Sequence, residues 1–149
     1  MARRRAPSRG PKARRYGTFG TTADVGIWAT AARPDDLFDA LGLALFSVMT
    51  DLRKVRAVEE RAVEANAEDP AALAVAFLNA LVLLADDGFL VREVRARLVG
   101  TPPTGVLAAV SGERFDPARH AVRVEVKAVT LHRLSVDLAR GRARVILDI

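Results

Sequence analysis

Apolar and polar side chains alternate with a period of two near the start of the chain, over residues 16–29. This alternation predicts a strand that places Val25 and Ile27 on one face and Asp24 on the other. Asp24 is the acidic residue of the block TTADVGI. We therefore expect its carboxylate to lie on the side opposite the apolar face.

Two stretches have the longer spacing of helices. Residues 34–50 begin with a proline and two acidic residues, which suit the positive N-terminal end of a helix dipole, and continue as a long apolar run. A second predicted helix begins after the capping residue Asp69, has Pro70 at its first position and ends before Gly88. Because this second helix is apolar almost all round, we expect the rest of the domain to cover it.

Most of the remaining chain has the composition and spacing of strands. Residues 55–65 are typical of an edge strand, and after Gly88 only strand patterns occur, separated by Pro and Gly. These patterns predict an α+β fold, a single domain with a largely antiparallel or mixed β-sheet and two main helices packed together on one side. The later predicted strands are residues 89–99, 105–113, 121–129, 131–139 and 142–149.

Composition limits the size and surroundings of the domain. A chain of 149 residues that is 50% hydrophobic can bury one substantial core. Its longest apolar stretch, residues 71–85, is about five residues shorter than the roughly 20 that a membrane-spanning helix needs, so we expect no membrane association. The absence of cysteine removes any disulfide or thiolate metal site and suits a cytoplasmic protein.

Positive charge is concentrated at the N-terminus. Residues 1–15 hold seven of the 23 basic side chains and no acidic one, whereas the rest of the chain holds 16 basic and 18 acidic side chains, a net charge of −2. We therefore predict a disordered basic arm, residues 1–15, and a folded domain, residues 16–149. The arm suits contact with RNA phosphates or acts only as a solubilising extension.

Few residues suit catalysis. The chain has two histidines, His120 and His132, and no cysteine, so a cysteine–histidine dyad is impossible. We expect His120 in a turn, and His132, which alternates with Leu134 and Val136, to be a half-buried structural residue. Zinc lacks its usual sulfur and nitrogen ligands, which leaves the oxygen-preferring Ca²⁺ and Mg²⁺ for an acidic site.

The end of the chain carries the strongest candidate site. Its last residues, RARVILDI, have the composition of a sheet strand and finish on Asp148 and Ile149. An ordered terminus holds the carboxylate of Asp148 beside the terminal carboxylate of Ile149, and two adjacent anionic groups favour a cation. Asp24 can join them only if its strand lies next to the last strand.

Several short blocks occur in the order and spacing of one known family. They are TTADVGI, the helix sequence AVAFLNALV, SGERFD followed by His120, VKAVTLHRLSV and the terminal VILDI. Together, over roughly residues 16–149, they resemble archease, the activator of RtcB-type RNA ligases.

The resemblance implies a non-catalytic accessory protein that promotes guanylylation and turnover of an RtcB-type RNA ligase in tRNA splicing and RNA repair. It also implies a site for calcium or another divalent cation such as magnesium. By motif position, Asp24, Asp148 and Ile149 correspond to the metal-binding residues, and Lys127 to a lysine that contributes to activation. RNA would be contacted indirectly or through the basic arm.

The sequence departs from the family pattern at four positions. Thr21 stands where the first block has histidine, Leu131 replaces a tyrosine, and Phe77 and Ala80 replace residues that are often Trp and Glu. The acidic residues are retained, so a site made of oxygen ligands remains possible.

Other classes of function compete with the activator hypothesis. One is a diverged metal-binding adaptor or RNA-binding module with a different partner, although a slightly acidic domain in a chain with 5% aromatic residues does not favour RNA binding. Another is a metal-dependent hydrolase, for which two carboxylates without a nearby motif histidine are a poor set of groups.

Overall fold

The computed structural model describes residues 14–20 and 24–149. The predicted disordered arm lies outside these residues except for Arg14 and Arg15, which begin the first strand; Arg14 lies 3.6 Å from the carboxylate of Asp39. The elements are β1 (Arg14–Gly20), β2 (Val25–Ala31), α1 (Pro34–Met49), β3 (Glu59–Asn66), α2 (Pro70–Asp86), β4 (Phe89–Val99), β5 (Gly105–Arg114), β6 (Ala128–Asp137) and β7 (Arg142–Asp148), with a short 3-10 turn at Leu52–Lys54.

The described strands form two antiparallel sheets. Sheet A has the order β1-β2-β7-β6, and sheet B has the order β3-β5-β4. Every pairing between these strands is antiparallel. The structure therefore confirms the α+β class and the single domain. The strands form two sheets, whereas the pattern predicted one sheet.

Both helices contact strands of both sheets, and the inward side chains of all these elements form one hydrophobic core. Helix α1 is buried on nearly all sides, whereas α2 buries one side, which includes Phe77, and leaves Leu83 65% exposed. The prediction that the rest of the domain covers α2 on all sides is therefore wrong for its outer side. The reason is that α2 packs chiefly on β3 and β6, which are edge strands. Within the described part of the chain, neither helix is long and apolar enough to cross a bilayer.

The predicted ends of α2 are confirmed. The side chain of Asp69 accepts a hydrogen bond from the N–H of Ala72 at 2.8 Å, and Pro70 is the first residue of the helix. Gly88 follows the end of the helix with φ of +84°, a backbone conformation that glycine adopts without steric cost.

Acidic side chains of α1 cover the free edge of sheet B. The carboxylate of Asp35 accepts a hydrogen bond from the N–H of Leu98 at 2.9 Å, and that of Asp39 accepts one from the N–H of Ala96 at 2.6 Å. Both N–H groups belong to β4, which pairs with β5 on its other side. Two acids one helical turn apart therefore replace a neighbouring strand.

The strand predicted over residues 16–29 is a hairpin instead. β1 and β2 pair antiparallel, from Gly20 opposite Val25 to Arg14 opposite Ala31. A period of two continues through both strands, so the pattern cannot detect the reversal of the chain. The connection, residues 21–23, which includes Thr21, lies outside the described residues.

The strand predicted over residues 121–129 is also wrong for most of its length. Residues 121–127 are irregular and are held by a hydrogen bond of 2.9 Å from the N–H of Arg123 to the carbonyl of Met49. The ladder with β7 begins at Ala128. Residues 121–127 extend past the end of the partner strand β7, and the alternation of side chains does not show where a partner strand ends.

Candidate metal site at one end of sheet A

Sheet A brings together the strands that carry the candidate carboxylates. β2 and β7 pair with Val25 opposite Leu147, so extending this register by one residue puts Asp24 opposite Asp148. Residues directly opposite in an antiparallel pair have Cα atoms about 4.5–5.5 Å apart. The two acids, from opposite ends of the sequence, therefore lie at the same end of neighbouring strands.

Strand alternation places both acids on the face of sheet A that points away from the core. Ile27 of β2 and Val145 of β7 are fully buried and face inward. Asp24 and Asp148 are separated from these residues by odd numbers of positions and so belong to the opposite face. Asp24 is half-buried and Asp148 is exposed, which leaves the Asp148 carboxylate accessible to an ion from solvent.

The donor set fits a hard cation if the terminal carboxylate takes part. Carboxylate oxygens are the ligands that Ca²⁺ and Mg²⁺ prefer, and Ile149, which follows Asp148 directly, is 43% exposed. In the described residues, no three side chains of His, Cys, Asp or Glu form a cluster that could hold a metal ion. Asp24 and Asp148 alone are therefore too few, and the terminal carboxylate or water must supply further oxygens.

The backbone of Lys127 lies next to that of Asp148. Its N–H donates a hydrogen bond of 2.8 Å to the carbonyl of Asp148, immediately before Ala128 pairs with the same residue. Its side chain is exposed, so the ammonium group is accessible to a partner.

Residues 131–134 leave the regular ladder of β6. The pairing with β7 shifts between Thr130 and Ser135, and Arg133 has φ of +53°, which is uncommon for a residue other than glycine. His132 is exposed here, so its expected role as a half-buried structural residue is wrong. Leu131, at the position of the family tyrosine, is 67% exposed.

A second polar cluster lies at the end of β5 and in the loop after it, in the block SGERFD and the histidine that follows it. Glu113 is buried, and its carboxylate accepts hydrogen bonds from the guanidinium of Arg119 at 2.7 and 3.0 Å and from the N–H of Arg56 at 2.6 Å. His120, which was predicted in a turn, lies directly after the turn at residues 117–119 and is buried against this carboxylate, with Nε2 at 3.1 Å. The sequence pointed to this block only as part of the family resemblance, and the cluster itself was not predicted.

Hydrogen bonds determine the charge states in this cluster. The Arg119 guanidinium holds the pKa of Glu113 well below its usual range, against the effect of burial, with help from the Arg56 N–H and His120. The Nδ1 atom of His120 accepts a hydrogen bond of 2.8 Å from the N–H of Asp116, so Nε2 carries the proton that faces Glu113. Both nitrogens of His120 are engaged, and the cluster stabilises the loop instead of forming an open catalytic site.

Comparison with known proteins identifies the family. The model of the Archease protein family matches residues 16–149. The chain is 38% identical over 132 residues to protein archease of Thermococcus gammatolerans, covering 87% of this chain and 93% of that protein. It is 36% identical over 135 residues to protein archease of Methanothermobacter thermautotrophicus, covering 88% and 96%.

Solved structures agree with this result. The solution structure of Methanobacterium thermoautotrophicum protein 1598 superposes with a TM-score of 0.73 at 32% identity, covering 90% of this chain and 98% of that chain. The crystal structure of an archease, described as a possible chaperone, from Thermotoga maritima has a TM-score of 0.58 at 15% identity over the whole of both chains, which shows the shared fold. The chain therefore belongs to the archease protein family.

Proposed function

We propose that this protein is a non-catalytic activator of an RtcB-type RNA ligase, whose guanylylation and turnover it promotes in tRNA splicing and RNA repair. Membership of the archease family supports the proposal. The observation that carries it is the pairing of β2 with β7, because it aligns two acidic residues of separate family blocks, Asp24 and Asp148, at one end of sheet A.

The proposed metal is calcium, with magnesium as the other candidate. Asp24, Asp148 and the terminal carboxylate of Ile149 would hold it, and a bound cation would supply positive charge to this group of acids. The chain itself positions the acids, since the β2–β7 ladder aligns them and the Lys127 N–H holds the backbone of Asp148.

Lys127 is the proposed contact to the ligase. It is exposed, and among the described residues its side chain takes part in no hydrogen bond or ion pair. An ammonium group without a partner in the fold is available to another protein, and the match to the family lysine distinguishes Lys127 from other exposed lysines. Its place just before β6 also puts its backbone beside the candidate metal site, because its N–H donates to the carbonyl of Asp148.

The test is a time course of ligase guanylylation with labelled GTP, with and without this protein. We expect faster formation of the guanylylated ligase and more than one RNA-joining turnover per ligase. Lys127→Ala should activate poorly, while Lys54→Ala, which changes an exposed lysine on the 3-10 turn, should activate as wild type does. Equal rates with and without the protein would overturn the proposal.

One observation favours a second candidate, an adaptor with a different partner. The side chain at the position of the family tyrosine is a leucine that is 67% exposed, so the surface beside Lys127 differs from the family pattern. An adaptor would bind calcium but leave ligase guanylylation unchanged. The same time course, combined with a calcium titration, therefore separates the two candidates.

A further inference from the structure

The outer face of sheet A, the side away from the core, carries aromatic rings and arginines. In the register of the sheet, Trp28 of β2 lies opposite Gly17 of β1 and opposite Arg144 of β7. Phe19 of β1 lies opposite Gly26 of β2. Each aromatic residue therefore faces a glycine on the neighbouring strand.

The rings lie flat on the sheet because these glycines have no side chain. A Cβ atom at Gly17 would lie 2.8 Å from three different atoms of the Trp28 indole, as expected for a ring lying face-on above it. A Cβ atom at Gly26 would likewise collide with the Phe19 ring. The guanidinium carbon of Arg144 lies 4.4 Å from the centre of the Phe19 ring, on which it stacks. Planar groups thus lie along the sheet surface.

Three arginines lie on this face, and two of them, Arg15 and Arg142, are at the end away from Asp24 and Asp148. Arg15, Arg142 and Arg144 are exposed, and among the described residues none of them takes part in an ion pair. Asp137 lies opposite Arg142 but has its carboxylate 3.8 Å from the guanidinium of Arg140. The arginines are therefore available to an anionic ligand.

Planar stacking groups flanked by unpaired arginines are the chemistry that recognises single-stranded nucleic acid. Unpaired bases stack on aromatic rings and on guanidinium planes, and phosphates bind arginine. Duplex RNA offers phosphates but no free base faces, so stacking favours a single strand. The charge of the whole domain does not reveal this arrangement, because acids offset the arginines, among them Asp24 and Asp148 at the other end of the same face.

We propose that the outer face of sheet A binds single-stranded RNA. Bases stack on Trp28 and on the guanidinium of Arg144, and phosphates contact Arg15 and Arg142. The proposal does not depend on the ligase, and its experiment contains none. Its failure would therefore leave the proposed activator function untouched.

Trp28 is the only tryptophan of the chain, so its fluorescence reports directly on the proposed face. The full chain is titrated with a single-stranded RNA of about 12 nucleotides, within the range of site sizes of single-strand-binding folds. We expect the tryptophan fluorescence to be quenched with the same midpoint as the anisotropy change of a labelled copy of the RNA. A duplex of the same length should bind more weakly and quench less.

Substitutions separate this face from other basic parts of the chain. Trp28→Ala should weaken binding about 5- to 150-fold, as expected for the loss of one stacked base. Arg144→Gln should weaken binding because a stacking plane is lost. Arg142→Gln should reduce the slope of log affinity against log salt by about 0.7, the value for one phosphate contact on a single strand. Arg97→Gln is the matched control, because Arg97 is an exposed arginine on the outer face of sheet B.

The outcome that overturns the proposal is binding through the N-terminal arm alone. In that case anisotropy would change without tryptophan quenching, Arg144→Gln would bind as wild type does, and joint replacement of Arg3, Arg4 and Arg5 by glutamine would abolish binding. No binding at low salt would also overturn it. Circular dichroism shows whether Trp28→Ala is folded, and Arg144→Gln, which changes an exposed side chain, tests the face even if Trp28→Ala is not.

Discussion

Glu113 is the buried carboxylate on which the loop after β5 depends. Its oxygens accept hydrogen bonds from the side chain of Arg119, the backbone of Arg56 and the ring of His120. Removing one partner of a buried charged pair leaves the other partners unsatisfied, which costs more than the pair contributes. A single residue therefore holds three separate segments together.

Glu113→Gln should lower the free energy of unfolding at pH 7 by about 1–3 kcal/mol, the usual cost of unsatisfied buried groups. Because the pKa of Glu113 in the folded protein lies below its usual 4.5, the unfolded chain binds the proton first as the pH falls. The stability due to the ionised group is fully present above about pH 5 and is lost toward lower pH. In urea unfolding between pH 7 and pH 3, the free energy of unfolding should thus decrease less with falling pH for Glu113→Gln than for wild type.

The control for this substitution is Glu59→Gln, on a carboxylate that is 47% exposed and pairs with Arg61 at 2.9 Å. Exposed ion pairs contribute about 0–1 kcal/mol, so its unfolding curve should follow that of wild type at every pH. If Glu113→Gln had the same pH dependence as wild type, the ionised carboxylate would not be a source of the stability.

Lys127 should contribute to activation and not to folding. Lys127→Ala should change the free energy of unfolding by less than about 0.5 kcal/mol, since exposed positions without partners tolerate substitution. Ligase activation should fall at least tenfold in the guanylylation assay, while Lys54→Ala keeps it. If Lys127→Ala were stable and activated the ligase fully, Lys127 would not have the role in activation that its match to the family lysine implies.

Each helix satisfies backbone groups at the edge of one sheet. The carboxylates of Asp35 and Asp39 accept from β4, and the side-chain amide of Asn79 donates to the carbonyl of Val129 at 3.2 Å and accepts from its N–H at 2.8 Å on β6. Unpaired edges promote aggregation, and they are protected when another element covers them. This accounts for Asn79, the single polar residue of α2 before Asp86 at its end.

Asn79→Leu should destabilise the protein by about 1–3 kcal/mol, because it leaves both backbone groups of Val129 unsatisfied without creating a cavity. Hydrogen exchange at the Val129 amide should become faster, by the factor that corresponds to the same loss of free energy. Leu83→Asn, which adds the same amide to the exposed side of α2, should stay within about 0.5 kcal/mol of wild type. Equal stability of Asn79→Leu and wild type would mean that water replaces the amide at this edge.

At the scale of the whole molecule, sheet A joins the two ends of the described chain. β2 and β7 come from the first and last parts of the sequence and lie side by side, with Asp24 and Asp148 at one end of the pair. The carboxylates of Asp24 and Asp148 and the terminal carboxylate of Ile149 would repel one another without a cation, and a bound cation would offset this repulsion. Metal binding should therefore stabilise the fold as a whole.

Calcium should raise the melting temperature of wild type. At 100 times the dissociation constant, binding adds about 2.7 kcal/mol of stability, which corresponds to roughly 5–10 °C for a domain of this size. Asp24→Asn should lose most of the shift, and so should a C-terminal tag that converts the carboxylate of Ile149 into an amide. The measurement is a thermal melt with calcium and with the chelator EGTA.

Glu64→Gln removes an exposed acid from sheet B and should keep the full calcium shift. If Asp24→Asn and the tagged protein also kept it, calcium would bind elsewhere and the proposed ligands would be wrong. If only the tagged protein kept it, the two aspartates would hold the ion without the terminal carboxylate.

Local features were predictable from the sequence by itself. The bounds of both helices, the Asp69 cap, the strand from Phe89 to Val99 and the α+β class follow from side-chain type and from spacing over a few residues. The family also follows from short blocks, because each block is contiguous in the sequence. The candidate acids were found for the same reason, as conspicuous charges inside apolar strands.

Only the tertiary structure decided which strands pair and which side chains share a face. The hairpin between β1 and β2, the division into two sheets and the pairing of β2 with β7 depend on contacts between residues far apart in sequence. A period of two specifies the two faces of a strand but not its neighbour or its direction. The roles of Asn79 and Glu113, and the alignment of Trp28 with Arg144, exist only once those neighbours are in place.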